Sequence, residues 1–274
     1  MNGIIININP VIIEIGGFVL RWYSLALVLA VLAAVFVATR EAKRKSFPAE
    51  EIWNLLPWLL IGGITGARLF HFIDQWRYYL ANPLEMLRFE QSGLAIWGAL
   101  AGGGVAVVVY TRLKRIPLGR FADILTPALL VGQITGRFGC IVNGDAAGGI
   151  TSLPWGFIYT NPGAMIARDL FAVPTHPYPV YEMLWNLASL LVLLRLRRYF
   201  ARDGLLFISY ALLYASGRFI LSFFRQESII FWGLQQAQIV ALGIGAVAVL
   251  GIVYLLANKG MSVSPKTAVS EQET

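Results

Sequence analysis

Residues 233–257, GLQQAQIVALGIGAVAVLGIVYLLA, run for 25 positions without an Asp, Glu, Lys or Arg. About 20 apolar residues in a helix cross the hydrocarbon core of a bilayer, so this stretch is long enough to span. Six others of the same kind precede it, near 17–39, 52–73, 93–112, 121–142, 178–195 and 204–225. They are too long for barrel strands and lack strict alternation, whereas a helix satisfies its own backbone in lipid. The sequence therefore predicts an all-α polytopic membrane protein of seven transmembrane helices. A single integral membrane domain is expected over 1–258, with a loop at 143–177 on the outer side and a polar tail at 259–274. The first apolar stretch is followed by six more and has no small-residue cleavage pattern, which predicts a retained helix and not a removed signal peptide.

Composition agrees. Of 274 residues, 57% are hydrophobic and 14% charged, with a mean hydropathy of +0.66, against about 25% charged in an ordinary soluble domain. A soluble interaction module is excluded, and so is disorder. The lone Cys140 and two histidines allow neither an internal disulfide nor a four-thiolate zinc site, so no metal and no redox cofactor are expected. The net charge of +7 is explained by where the basic residues fall. Fourteen follow spans one, three, five and seven, among them Arg40, Lys43, Arg44, Lys45, Arg112, Lys114, Arg115, Arg120 and Arg202, while only Arg77, Arg88 and Arg168 occupy the opposite loops. By the positive-inside rule the N-terminus is expected outside and the C-terminus in the cytoplasm, and no nucleic-acid partner is needed.

With that topology the unusual polar residues gather in the outer half. Arg21 and Tyr23 start span one; Arg68 and His71 end span two; Arg137, Asn143 and Asp145 end span four. His176, Tyr181 and Glu182 start span five, Arg218 and Arg225 end span six, and Gln235, Gln236 and Gln238 start span seven. Arginine at a helix centre costs roughly 2.5–3.5 kcal/mol on insertion scales, so a one-sided set implies a polar chamber open to the outer leaflet. Guanidinium groups suit a phosphate-bearing anion, because their forked donors match phosphate oxygens. A phospholipid headgroup is the nearest such ligand.

Span four closes with Gly136-Arg137-Phe138-Gly139-Cys140-Ile141-Val142-Asn143-Gly144-Asp145, which resembles the Gly-Arg-x-Gly-Asn-Phe-x-Asn-Gly-Glu string of the bacterial prolipoprotein diacylglyceryl transferases. Other matches are Leu20-Arg21-Trp22-Tyr23, Gly66-Ala67-Arg68-Leu69, Gly93-Leu94-Ala95-Ile96, Leu153-Pro154-Trp155-Gly156, His176-Pro177 with Tyr181-Glu182, and Arg218 to Arg225. The resemblance covers roughly residues 10–257. It implies transfer of the diacylglyceryl group of phosphatidylglycerol to the lipobox cysteine beside the signal peptide of a preprolipoprotein. A thioether forms and glycerol phosphate is released, in the first step of lipoprotein maturation. It implies no cofactor, membrane lipid as surroundings, and a multi-pass protein of the bacterial plasma (inner) membrane with its site towards the outer leaflet.

On this reading Arg137 and Arg218 clamp the phosphate, Asn143 and Tyr23 orient headgroup oxygens, Arg68 and Asp145 complete the lipid-binding set, and Glu182 buttresses His176 or an arginine. His176 and Glu182 join the two arginines as catalytic candidates. The chain departs from the family where an early His-Gly-Gly string reads Trp97-Gly98-Ala99, where Asn becomes Cys140 and Glu becomes Asp145, and where the acid one turn after Arg218 becomes Ser222. Tryptophan cannot take a proton, so the thiol is expected to ionise in the arginine field, with His71 and His176 as the other options. The alternatives are a diverged relative with reduced or lost transferase activity and a transporter of an anionic solute or lipid; no internal repeat favours the transporter.

Overall fold

The computed structural model describes residues 3–82, 96–200, 202–225, 227 and 229–257. Arg88, most of the Gly93–Ile96 string and the tail with Lys259 and Lys266 lie outside them. Among the described residues the chain is mainly helical: α1 Trp22–Arg44, α2 Glu50–Asp74, α3 Trp76–Ala81, α4 Ile96–Leu113, α5 Leu118–Asn143, α6 Tyr178–Leu196, α7 Leu205–Leu221 and α8 Gln236–Ala257. Six helical segments (α1, α2, α5, α6, α8, and α7 with a short 3₁₀ turn at Ser222–Phe224) are long and apolar enough to cross a membrane, and α4 is a shorter apolar helix.

Strands were not foreseen. Short β1 (Ile4–Ile6) pairs in parallel with β4 (Phe157–Tyr159), β2 (Val11–Ile15) pairs with β3 (Phe18–Arg21), and β5 (Ile229–Phe231) with β6 (Leu234–Gln235). The first span therefore begins at Trp22 and not near residue 17, because Phe18–Arg21 is a strand. The physical reason is the pair Gly16-Gly17, both at positive φ (55° and 87°), the backbone of a two-residue hairpin turn.

The chain forms two compact units, residues 35–124 and the remainder. In the 35–124 unit α2 and α4 meet through glycines. A Cβ on Gly66 would lie 2.8 Å from the Gly102 Cα and nearer still to the Gly98 carbonyl, and one on Gly102 would strike the Gly62 carbonyl. Without a hydrophobic driving force in lipid, such close backbone packing is what holds helices together. Gly102→Leu is expected to destabilise the protein by about 3 kcal/mol, seen as a lower Tm and aggregation in detergent. The same unit carries a charged end: Lys45 Nζ lies 3.4 Å from Asp123, Arg120 donates to the Lys45 carbonyl at 2.8 Å, and the Tyr110 hydroxyl bonds Glu51.

In the other unit, Leu130, Leu193, Leu206 and Tyr210 form a buried core between α5, α6 and α7. Two contacts set the register there. The Trp185 indole N–H donates to the Leu213 carbonyl at 2.9 Å, and the Trp185 ring fills the space a side chain at Gly217 would need. Glu182, three residues before Trp185, is thereby held opposite Arg218, the residue after Gly217. On α5, a Cβ at Gly139 would lie 3.0 Å from the Tyr23 Cα, so α1 and α5 touch closely at that end.

Candidate active site

Arg137 lies near the C-terminus of α5, Arg218 near the C-terminus of α7, and Glu182 in the second turn of α6. The Glu182 carboxylate joins the two cations. Its Oε2 pairs with Arg137 Nη2, its Oε1 lies 3.3 Å from Arg218 Nη1, and that same nitrogen donates to the Tyr178 hydroxyl at 2.7 Å. Within this cluster one carboxylate serves two guanidiniums, an excess of positive charge that, among the described residues, only the more distant Glu227 offsets and that favours a bound anion within an apolar bundle. Polar atoms there are also incompletely used. The donor Arg218 Nε is buried with no hydrogen-bond partner among the described residues, and so is the acceptor Asn143 Oδ1, which suits a hydroxyl of the ligand and not its anionic oxygens. The cluster is thus preorganised to receive something anionic, and it orders the arginines without saturating them.

Further groups border it. Arg137 Nη1 lies 3.7 Å from Cys140 Sγ, and Asn143 Nδ2 lies 3.4 Å from Met165 Sδ. The positive φ of Gly144 (80°) ends α5 and turns the chain into the long loop to α6. Beneath that loop is a cavity of about 170 Å³ lined by Gly144, Asp145, Gly148, Met165, Leu170 and Arg225 among others. Arg225 pairs with Glu227 at 3.0 Å and its guanidinium sits over the Tyr178 ring. Burial, reinforced by the nearby Asp145 carboxylate, pushes the Tyr159 phenol well up. It stays a neutral donor to the Ile141 carbonyl at 2.9 Å, tying the loop to the end of α5.

Among the described residues His176 makes no hydrogen bond or ion pair with these charges. Its backbone N–H donates to the Gly149 carbonyl and its carbonyl accepts from Gly148. Its Nδ1 lies 3.3 Å from the Tyr181 hydroxyl, which also accepts from the Trp155 indole at 3.0 Å, and its ring packs edge-on against Phe224. Burial lowers its pKa below the ordinary histidine value, which favours the neutral ring. Of the two options open for Glu182, the structure gives it to the arginines. Ser222, at the position of the family's acid, turns its hydroxyl back onto the Arg218 carbonyl at 2.6 Å.

The structure therefore brings Arg137, Arg218 and Glu182 together, with Asn143 and Tyr23 on the neighbouring end segments and the exposed Asp145 on the cavity wall. Arg68 and His71 belong to the 35–124 unit. There the Arg68 guanidinium lies over the Phe72 ring and His71 meets Tyr79 edge-on. Tyr178 was not anticipated as a partner of Arg218. Its signal was present: it stands one helical turn before Glu182, at the i, i+4 spacing that puts two side chains on one face.

A sequence model of the prolipoprotein diacylglyceryl transferases matches residues 10–254. A protein of Synechococcus elongatus named phosphatidylglycerol–prolipoprotein diacylglyceryl transferase is 35% identical over 260 residues, covering 92% of this chain and 89% of that one. Proteins of the same name from Nostoc sp. (34%; 92% and 90% covered) and Lysinibacillus sphaericus (35%; 92% and 94% covered) are equally similar.

Proposed function

The chain belongs to the prolipoprotein diacylglyceryl transferase family, and on that premise we propose that it transfers the diacylglyceryl group of phosphatidylglycerol to the lipobox cysteine of preprolipoproteins. The substrate thiol loses its proton, the thiolate attacks the glyceryl carbon that bears the phosphate ester, and the carbon–oxygen bond breaks with its electrons going to the departing glycerol phosphate. The products are a thioether and a phosphate monoester. Two barriers must be lowered: ionising a thiol of pKa about 8.5 and stabilising charge on the leaving phosphate.

The arginine pair joined by Glu182 is the observation that carries this reading. Arg137 and Arg218 hold the phosphate, and Glu182 and Tyr178 hold the arginines. Asn143 and Tyr23 orient headgroup oxygens and Asp145 completes the lipid-binding set of this unit, to which Arg68, in the 35–124 unit, is not assigned. The same positive field assists thiol ionisation, which the chain needs because Trp97 replaces the family's histidine. His176 has no hydrogen bond or ion pair with the arginine cluster among the described residues, so the positive field and not its imidazole is assigned the ionisation of the thiol. Transfer is accordingly expected to rise with pH until the substrate cysteine ionises, with His176→Ala keeping the shape of that profile. A general base at His176 predicts instead a loss of about 10²–10⁴-fold and an acid limb below the ordinary histidine range. Parallel pH profiles of the two proteins decide between them.

Seven spans, with α4 as the shorter member, put the N-terminus outside, the basic ends and the C-terminus in the cytoplasm, and the site towards the outer leaflet of a bacterial plasma (inner) membrane. The opposed ends of α1 support this, with Tyr23 at one and Lys43, Arg44 and Lys45 at the other. Partners are phosphatidylglycerol, the signal-peptide and lipobox region of the precursor, and surrounding membrane lipid, with no nucleic acid and no cofactor. Complementation tests it: the gene restores lipoprotein modification in cells depleted of their own transferase, and failure despite membrane insertion points to the diverged relative with reduced or lost transferase activity.

A further inference from the structure

The segment leading into α8 combines features that a water-exposed loop would not keep. β5 and β6 are joined by Trp232-Gly233, both at positive φ (49° and 75°). The first position of such a turn is normally Asn, Asp or Gly, and a side chain like that of tryptophan pays roughly 1–2 kcal/mol for left-handed backbone. Trp232 is nonetheless 88% exposed, so packing against the rest of the chain does not repay that cost. Its ring stacks on Phe231, with centroids 5.2 Å apart, and Ile229 and Ile230 are also exposed, on opposite strand faces. From Ile229 to Ala257 the sequence holds no charged residue.

The base of this hairpin is fixed. Gln235 Nε2 donates to the Arg225 carbonyl at 2.9 Å, and the Gln238 side-chain oxygen accepts from the Gln235 N–H at 3.0 Å. β6 ends at Gln235 and α8 begins at Gln236, so the apolar hairpin continues without a break into a membrane-crossing helix whose Leu242, Val247, Leu250 and Val253 are equally exposed. The β2–β3 hairpin repeats the plan, with Ile15 and Phe18 flanking its Gly16-Gly17 tip and Arg21 leading directly into α1 at Trp22. Both hairpins stand at the end of the bundle that bears the arginines. The α1 start packs against Gly139, and the Gln238 amide reaches the Phe219 carbonyl next to Arg218.

We propose that the Ile229–Gln235 hairpin, aided by the β2–β3 hairpin, is a membrane-interface anchor whose Phe231–Trp232 tip inserts at the headgroup–acyl boundary of the leaflet facing the arginine cluster. Aromatic rings favour that boundary, and burial there offsets the strain at Trp232. The lipid is the occupant because the hairpin surface is continuous with the lipid-facing surface of α8 and carries no charge that a polar protein partner would require. Combined with the proposed transfer reaction, on which this clause alone rests, the anchor sets the depth at which Arg137 and Arg218 meet a phosphate.

The test needs no turnover. The full chain carrying Trp232→Cys and Cys140→Ser is labelled at residue 232 with an environment-sensitive fluorophore and reconstituted in phosphatidylcholine vesicles. The expected result is loss of most of the emission to a nitroxide near the top of the lipid chains and little loss to aqueous iodide. Quenching by iodide and not by lipid overturns the proposal, as does lipid-independent shielding that appears only when a signal-sequence peptide or a second copy of the chain is added. Trp232→Asn, which suits the turn's backbone, is expected to keep or raise the Tm in detergent. A clear fall would show that the indole packs on protein and would also overturn the proposal. Because neither readout involves lipid transfer, loss of the proposed enzymatic function leaves this test intact.

Discussion

Arg137→Ala is expected to reduce diacylglyceryl transfer by about 10²–10³-fold, the range for removing one preorganised donor from a developing negative charge. The protein should still insert and extract normally, because Glu182 retains Arg218, which the Tyr178 hydroxyl also holds. Arg137→Lys should recover only part of the loss, since an ammonium supplies the charge but not the two-pronged donor that reaches Glu182 and a phosphate oxygen together. The measurement is kcat and KM on phosphatidylglycerol with a lipobox peptide. A fall mainly in kcat marks a contact made in the transition state, and near-wild-type turnover removes Arg137 from the phosphate site.

Arg218→Ala carries an expected loss of similar size for a partly different reason. Its Nη1 already serves Glu182 and Tyr178, so the donor that distinguishes it is the buried and unpartnered Nε. Removing the side chain deletes that donor and also frees Glu182 to neutralise Arg137 alone. The double variant Arg137→Ala/Arg218→Ala should therefore fall well short of the product of the single losses, as expected for residues that act through one shared carboxylate. Full multiplicativity would mean that the two arginines serve separate sites.

The helices were legible because charge-free runs of about 20 residues leave few alternatives. The hairpins were not, for a related reason: Phe18–Arg21 continues the apolarity of α1, and Trp232-Gly233 borders that of α8, so hydropathy alone extends each helix over the turn. Gly16-Gly17 was the available signal for the first. In the site, Arg137, Arg218 and Glu182 stood out because ionised groups inside apolar runs need a partner. Tyr178 did not, since tyrosine at a span end ordinarily reads as an interfacial aromatic. The close approach at Gly139 that seats Tyr23, and the Trp185–Gly217 contact that opposes Glu182 to Arg218, depend on three-dimensional packing that one-dimensional spacing does not encode.

The most direct test is the reaction itself, run with the purified full chain in phosphatidylglycerol vesicles and a synthetic lipobox peptide, and followed by mass spectrometry. The expected product is a peptide heavier by one diacylglyceryl group, resistant to thioester-cleaving hydroxylamine because the link is a thioether, with glycerol phosphate released in equal amount. Folded protein that binds phosphatidylglycerol and leaves the peptide unmodified would contradict the proposed transfer.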